Sequence, residues 1–227
     1  MGKPEAVIFD MDGVLIDSEP IHIKIEKRLF NNLGIKVSED VHRSFMGASN
    51  EFMYADLRSR FGLSESVSEL MERDELFRTD YFNHLDAIPL NDGLISLLDD
   101  LKSAGIKLAV ATSSSPEIAN ILLSRCEITR YFDAIVTTSD AGKSKPFPEV
   151  YLLAAKRIDA SPENCIVFED SPNGLMAAKN AGMYCVAIQS DKEIIQKLSG
   201  ADYLIQSFRE VTSRKLTEIF SFKPQVD

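Results

Sequence analysis

Two carboxylates stand two residues apart in Asp10-Met11-Asp12-Gly13, directly after the short apolar run Ala6–Phe9. Far along the chain, Glu169-Asp170 closes a second run, residues 165–168. Thr112-Ser113-Ser114 ends a third at Lys107–Thr112, and Lys145 follows a fourth at Ala134–Thr137. As neighbouring parallel strands, these runs would carry their acids, an ammonium and a hydroxyl into one crevice at their carboxyl ends. That is where open parallel sheets bind ligands. Crowded carboxylates raise one another's pKa unless a cation compensates. An all-oxygen donor set suits Mg²⁺, a hard ion that keeps waters and a substrate phosphate in its shell. Asp10 and Asp12 alone would read equally well as turn or cap residues after a strand. The matching groups at the other strand ends tip the balance toward chemistry.

The elements that must position these groups follow from periodicity. The four runs, with Tyr184–Ile188 and a weaker Tyr203–Ile205, are continuous rather than alternating, as strands buried on both faces should be. Helical patterns separate them. Leu94, Leu97, Leu98 and Leu101 recur at helix spacing, Ser115-Pro116-Glu117 is a helix start, and residues 148–157 read as a further helix. Ser171-Pro172 opens one that stops at Gly182. Strands alternating with helices predict an α/β fold, a doubly wound parallel sheet with helices on both faces.

Residues 18–87 break this rhythm. Ile21, Ile25, Leu29 and Leu33 form one helical stripe, and residues 50–60 and 66–84 read as further helices. Turns are expected at Asn31-Asn32, Gly47 and Gly62. The chain therefore divides into an α/β core, residues 1–17 and 88–227, and a helical insert of residues 18–87. The two connections, at 17–19 and 88–92, predict hinges about which the insert closes over the crevice.

Bulk composition narrows the classes. Acids outnumber lysine and arginine, 35 to 25, for a net charge of −10. That opposes nucleic-acid binding by counterion release and adhesion to an anionic membrane, while leaving a local cationic site for an anionic substrate. Cys126, Cys165 and Cys185 form no metal-type pair, and read as reduced thiols. No run spans a bilayer and no signal-type leader is evident, so a cytoplasmic location and no membrane partner are expected.

Asp10-Met11-Asp12-Gly13-Val14, Thr112, Lys145-Pro146 and Glu169-Asp170-Ser171-Pro172-Asn173-Gly174 together resemble the four motifs of the haloacid dehalogenase superfamily. Residues 9–20 and 168–183 are similar to its β-phosphoglucomutase and sugar-phosphatase branch, which carries a helical cap after the first motif. The resemblance implies a Rossmann-like core and a Mg²⁺-dependent phosphotransferase. It implies Asp10 as nucleophile, forming an aspartyl-phosphate, and Asp12 as general acid and then base. Asp10, the Asp12 carbonyl and Asp170 would bind the metal, with Glu169 a ligand or an outer-sphere partner. Thr112, with backbone N–H groups near Ser113, would bind phosphoryl oxygens, and Lys145 would offset their charge. In the cap, His22, Gly47 and Asn50 are candidate substrate contacts, each with a plain alternative as a solvated helix or turn residue.

The same resemblance leaves a choice of reaction. A mutase needs a cationic cap contact for a second phosphate, and in the mutase pattern an arginine follows the cap glycine by three residues. Here that position is Asn50, which cannot supply arginine's charged fork. Arg43, Arg58 and Arg73 are the other candidates. Asp17-Ser18-Glu19-Pro20 is also more similar to the phosphatases. Hydrolysis of a small phosphorylated metabolite, a sugar or polyol phosphate, therefore ranks ahead of hexose phosphate isomerisation. A silent binding protein on the same fold ranks below both, because it needs no nucleophile, acid–base residue and metal carboxylates together. Analogy with the branch favours a monomer.

Overall fold

The computed structural model describes residues 2–45 and 49–221. Gly47, read above as a cap turn and candidate substrate contact, lies outside the described residues. The chain forms two compact units: Met1–Asp17 with Ile88–Asp227, and Ser18–Ala87.

The first unit is built on a parallel sheet of six strands, β1 (Ala6–Phe9), β2 (Lys107–Thr112), β3 (Ala134–Thr137), β4 (Cys165–Glu169), β5 (Tyr184–Ile188) and β6 (Tyr203–Ile205). Their order is β3-β2-β1-β4-β5-β6, which sets β1 between β2 and β4. The expected doubly wound α/β sheet is present. Register matters most for the site. Phe9, the last residue of β1, pairs with Val110 on one side and with Phe168 on the other, so Asp10 leaves the sheet between the last residues of β2 and β4. Asp10 N–H then donates to the Phe168 carbonyl at 3.0 Å, which ties the first acid to β4.

Alternation along each strand sorts the two faces of the sheet. Ala6, Ile8, Ala109, Ala111, Val167 and Cys185 belong to one apolar cluster with Val150, Tyr151, Ala154, Ala177 and Ala178. These come from α8 (Glu149–Arg157) and α9 (Pro172–Asn180). On the other face Phe9 stacks on Phe168, with ring centroids 5.2 Å apart. Phe208 packs edge-on to both, and α5 (Leu94–Ser103) covers that side. Ser115 caps α6 (Pro116–Arg125) and Ser171 caps α9, each accepting from a backbone N–H three residues on, with Pro following as the first helical residue. All three cysteines are free thiols. No helix among the described residues is long and apolar enough to cross a membrane.

The second unit contains α1 (Glu19–Asn32), α2 (Glu39–Ser44), α3 (Asn50–Phe61) and α4 (Val67–His84). Ile21, Ile25 and Leu29 are buried along the expected stripe. Two details differ from the sequence reading. Asn31-Asn32 is still the last turn of α1, and the left-handed residue that follows is Gly34 at φ +70°. The short helix α2 was not anticipated. Gly62 does end α3 in the left-handed conformation, as a glycine can at little cost. Inside the unit, Asp74 and Arg78 are both buried one turn apart on α4. Arg78 Nε donates to Asp74 at 2.8 Å, and its other nitrogens reach His22 Nδ1 at 2.7 Å and Glu26 at 3.3 Å.

Candidate active site

Three strand ends and the loop before α8 deliver the site. Lys145 Nζ donates to Asp10 Oδ1 at 2.5 Å and to Glu169 Oε1 at 2.7 Å, joining the ends of β1 and β4 through one ammonium. It also reaches the Ala111 carbonyl, near the end of β2, at 3.2 Å. Glu169 is fully buried and its two oxygens are heavily used. Oε1 accepts from Lys145 and from Tyr151 Oη at 2.6 Å. Oε2 accepts from the backbone of Asp170 and Ser171 at 2.9 and 3.1 Å, and from Ser171 Oγ at 3.1 Å. Asp12 is held separately, by Ser114 Oγ donating to its Oδ2 at 2.7 Å. Ser114 N–H in turn donates to Thr112 Oγ1 at 3.0 Å.

Burial opposes charge on Asp10, Glu169 and Asp170, and the neighbours decide the outcome. Desolvation, only partly offset by Lys145, pushes Asp10 up to about 7. Desolvation and the charges of Glu169 and Asp10 hold Asp170 well above the usual carboxylate range. Glu169 goes the other way, because Lys145 and the Tyr151 hydroxyl outweigh the cost of its burial. Desolvation works to lower the Lys145 pKa, but Asp10 and Glu169 outweigh it and raise it. Glu169 is thus compensated by its donors, whereas Asp10 and Asp170 remain strained, by burial first and by like charge after it. Oxygens of Asp10, Glu169 and Asp170 all lie within 4.8 Å of one another. An oxygen-only cluster under that strain fits a hard divalent cation, which would relieve it.

A family model described as haloacid dehalogenase-like hydrolase matches residues 7–188, from β1 through β5. The chain belongs to the haloacid dehalogenase-like hydrolase family. Among its relatives, a phosphorylated carbohydrates phosphatase from Thermotoga maritima is 37% identical over 179 residues, covering 79% of this chain and 82% of the relative. A β-phosphoglucomutase from Bacillus subtilis is 32% identical over 222 residues, covering 94% of each. Among solved structures, a haloacid dehalogenase hydrolase of family IA, variant 3, from Entamoeba histolytica superposes with a TM-score of 0.84 at 27% identity, covering 96% of this chain and 99% of that one. The resemblance read from the motifs holds, and with it the assignment of the chain as an enzyme of hydrolase type.

Within this haloacid dehalogenase-like core, Asp10, Lys145 and Glu169 are in direct contact, and Asp170 adjoins them. Asp12 and Thr112 are linked through Ser114. Ser113 is exposed beside them. His22 and Asn50 belong to the helical unit. His22 is half-buried against Arg78 and Asn50 is the exposed first residue of α3. Sequence reasoning passed over three residues. Asn91 Nδ2 donates to the carbonyls of Gly13 and Val14, both at 2.7 Å, pinning the turn after Asp12. Ser114 appeared only as part of a strand end. Tyr151 appeared only as one residue of a helix; its signal was a lone phenol on an otherwise aliphatic buried face.

Two motif glycines have a steric reason. Gly13 has φ +77°, and a Cβ there would overlap the Asp170 carboxylate. At Gly174 a Cβ would overlap Glu169, which cannot swing away because its donors hold both oxygens. Gly174→Ala is therefore expected to lower turnover by about 100-fold or more and to cost roughly 1–3 kcal/mol of stability. Steady-state kinetics and chemical denaturation check both. Wild-type turnover would mean the Glu169 position is unimportant.

Proposed function

We propose that this enzyme is a Mg²⁺-dependent phosphatase of small phosphorylated carbohydrates, working through an aspartyl-phosphate on Asp10. The observation that carries the reading is Lys145 clamped between Asp10 and Glu169 beside Asp170. One cation faces three carboxylates there, an arrangement suited to a divalent ion and a phosphoryl group together. Asp10 and Asp170 would hold Mg²⁺, with the Asp12 carbonyl as the resemblance implies. When bound, the ion neutralises charge on the carboxylates and on the phosphoryl oxygens.

The chain's own residues then divide the work. Lys145 fixes one oxygen of Asp10 and shields its charge from the incoming phosphate. Asp10 bonds to phosphorus as the bond to the leaving oxygen breaks, and Asp12 gives that oxygen its proton. Next, Asp12 takes a proton from water, whose oxygen attacks phosphorus and returns Asp10 as a free carboxylate with release of phosphate. Ser114 holds Asp12 for both steps. Thr112 accepts from Ser114 N–H and keeps its own O–H to donate to a phosphoryl oxygen.

The residue at position 50 favours hydrolysis over isomerisation, although Arg43, exposed on α2, is still a candidate cap cation. Asn50 stands where the mutase pattern has arginine. Arg58 donates to the Glu65 carbonyl, and Arg73 to Glu65 and the Asn32 carbonyl, so both are engaged within their own unit. Purified protein with Mg²⁺ should release phosphate from a panel of sugar and polyol phosphates without a sugar bisphosphate. If hexose 1-phosphate is instead converted to the 6-phosphate, and only with a bisphosphate primer, the enzyme is a mutase.

A further inference from the structure

Tyr151 lies on the buried face of α8, among Val150, Ala154 and Ala155, and is itself 0% exposed. A phenylalanine would fill that space equally well. The hydroxyl is the part that needs explaining, since a buried polar atom is costly unless it is bonded. Its partner is Glu169 Oε1, at 2.6 Å. That same oxygen takes Lys145 Nζ at 2.7 Å, and Nζ lies 4.8 Å from the centre of the Tyr151 ring. Tyr151 therefore touches both members of the ion pair that reaches Asp10. Glu169's other oxygen is occupied by Asp170 and Ser171.

We propose that Tyr151 is a positioning residue for phosphoryl transfer, fixing the Glu169 carboxylate so that Glu169 brackets Lys145 at the correct distance from Asp10. The proposal rests on the phosphotransfer reading above. Donors on both Glu169 oxygens suit it to bracket Lys145. Burial and the charge of Glu169 keep the phenol protonated, so it donates at any working pH. Without the hydroxyl, Oε1 is left to Lys145 alone. The carboxylate then draws toward the ammonium, and the ammonium drifts from Asp10. The hydroxyl touches neither Asp10 nor the substrate, so its effect passes through Glu169.

The test is Tyr151→Phe, assayed with para-nitrophenyl phosphate and Mg²⁺. Turnover should fall about 10-fold, with KM and Mg²⁺ affinity unchanged within about twofold. Inhibition by orthovanadate, a mimic of the transferring phosphoryl group, should weaken by about the same factor. In a Glu169→Gln background, Tyr151→Phe should add no further loss in turnover or in vanadate binding, because the two residues act as one unit. Three results would overturn the proposal: turnover within about twofold of wild type, a lower melting temperature with unchanged turnover, or losses that multiply in the double variant. Failure of the underlying reading has a different signature, namely full turnover in Asp10→Asn.

Discussion

Asp10→Asn is expected to lower phosphate release by at least about 10⁴-fold while leaving the fold intact. The amide is nearly the same size as the carboxylate, but its oxygen is neutral and cannot form the covalent intermediate. Nothing in the packing should suffer. Asp10 is buried, and its carboxyl is pushed up to about 7, so above that pH the ionised form is opposed by its surroundings. An amide avoids that opposition, and Lys145 keeps its bond to Glu169. The melting temperature of the metal-free variant at pH 8 should therefore equal or exceed that of the wild type. Near-normal turnover would remove Asp10 as nucleophile and the proposed mechanism with it. A loss of turnover accompanied by early melting would point to misfolding instead.

The core was legible because its strands are buried on both faces. Such strands read as continuous apolar runs, and all six were located from that signal. The acids and the hydroxyl stand at or just beyond the ends of those runs, and Lys145 comes eight residues after one of them, so topology predicted which of them would meet. Short helices left no such trace. α2 spans six residues and buries none of them, so no apolar stripe marks it. α7 (Thr138–Ala141) and α10 (Lys192–Lys197) escaped for the same reason. α11 (Ser213–Ser221) did carry a stripe, Leu216, Ile219 and Phe220, that was not read.

Pairing across long sequence distance set the second limit. Tyr151 and Glu169 are 18 residues apart, on a helix and a strand. No local period encodes that bond, and in sequence the tyrosine is one more core aromatic. Asp74 and Arg78 pose the opposite problem. At a spacing of four residues they would read as an ordinary surface pair on a helix. Only burial turns them into the interior ion pair of the helical unit, with His22 as a neighbour. His22 was weighed as a solvated helix residue or a substrate contact. Its Nδ1 accepts from an arginine that can only donate, a constraint visible nowhere but in the fold.

Removing the metal is expected to abolish turnover, by about 10³-fold or more with EDTA, and to change stability in a pH-dependent way. The sign follows from linkage. Asp10 rises from 3.8 to about 7, and Asp170 is also raised. An acid with a raised pKa in the folded state holds its proton more tightly there than when unfolded, so its contribution to stability falls as pH climbs between the two values. Glu169 is lowered, so its favourable contribution is already complete above the unfolded value of 4.5. Raised Lys145 is charged in both states until far higher pH. Between about pH 4.5 and 7 the balance therefore lies with Asp10 and Asp170, and the metal-free site should become less favourable to folding. A cation that binds the two ionised carboxylates reverses this. With Mg²⁺ at about a hundred times its Kd, linkage gives about 2.7 kcal/mol, or roughly 5–10 °C in a domain of this size. The shift should be large at pH 8, smaller at pH 5.5, and reduced at pH 8 in Asp170→Asn. Differential scanning calorimetry with Mg²⁺ and with EDTA at both pH values reads all three. A shift that ignores pH, or that survives unchanged in Asp170→Asn, would place the metal elsewhere on the protein.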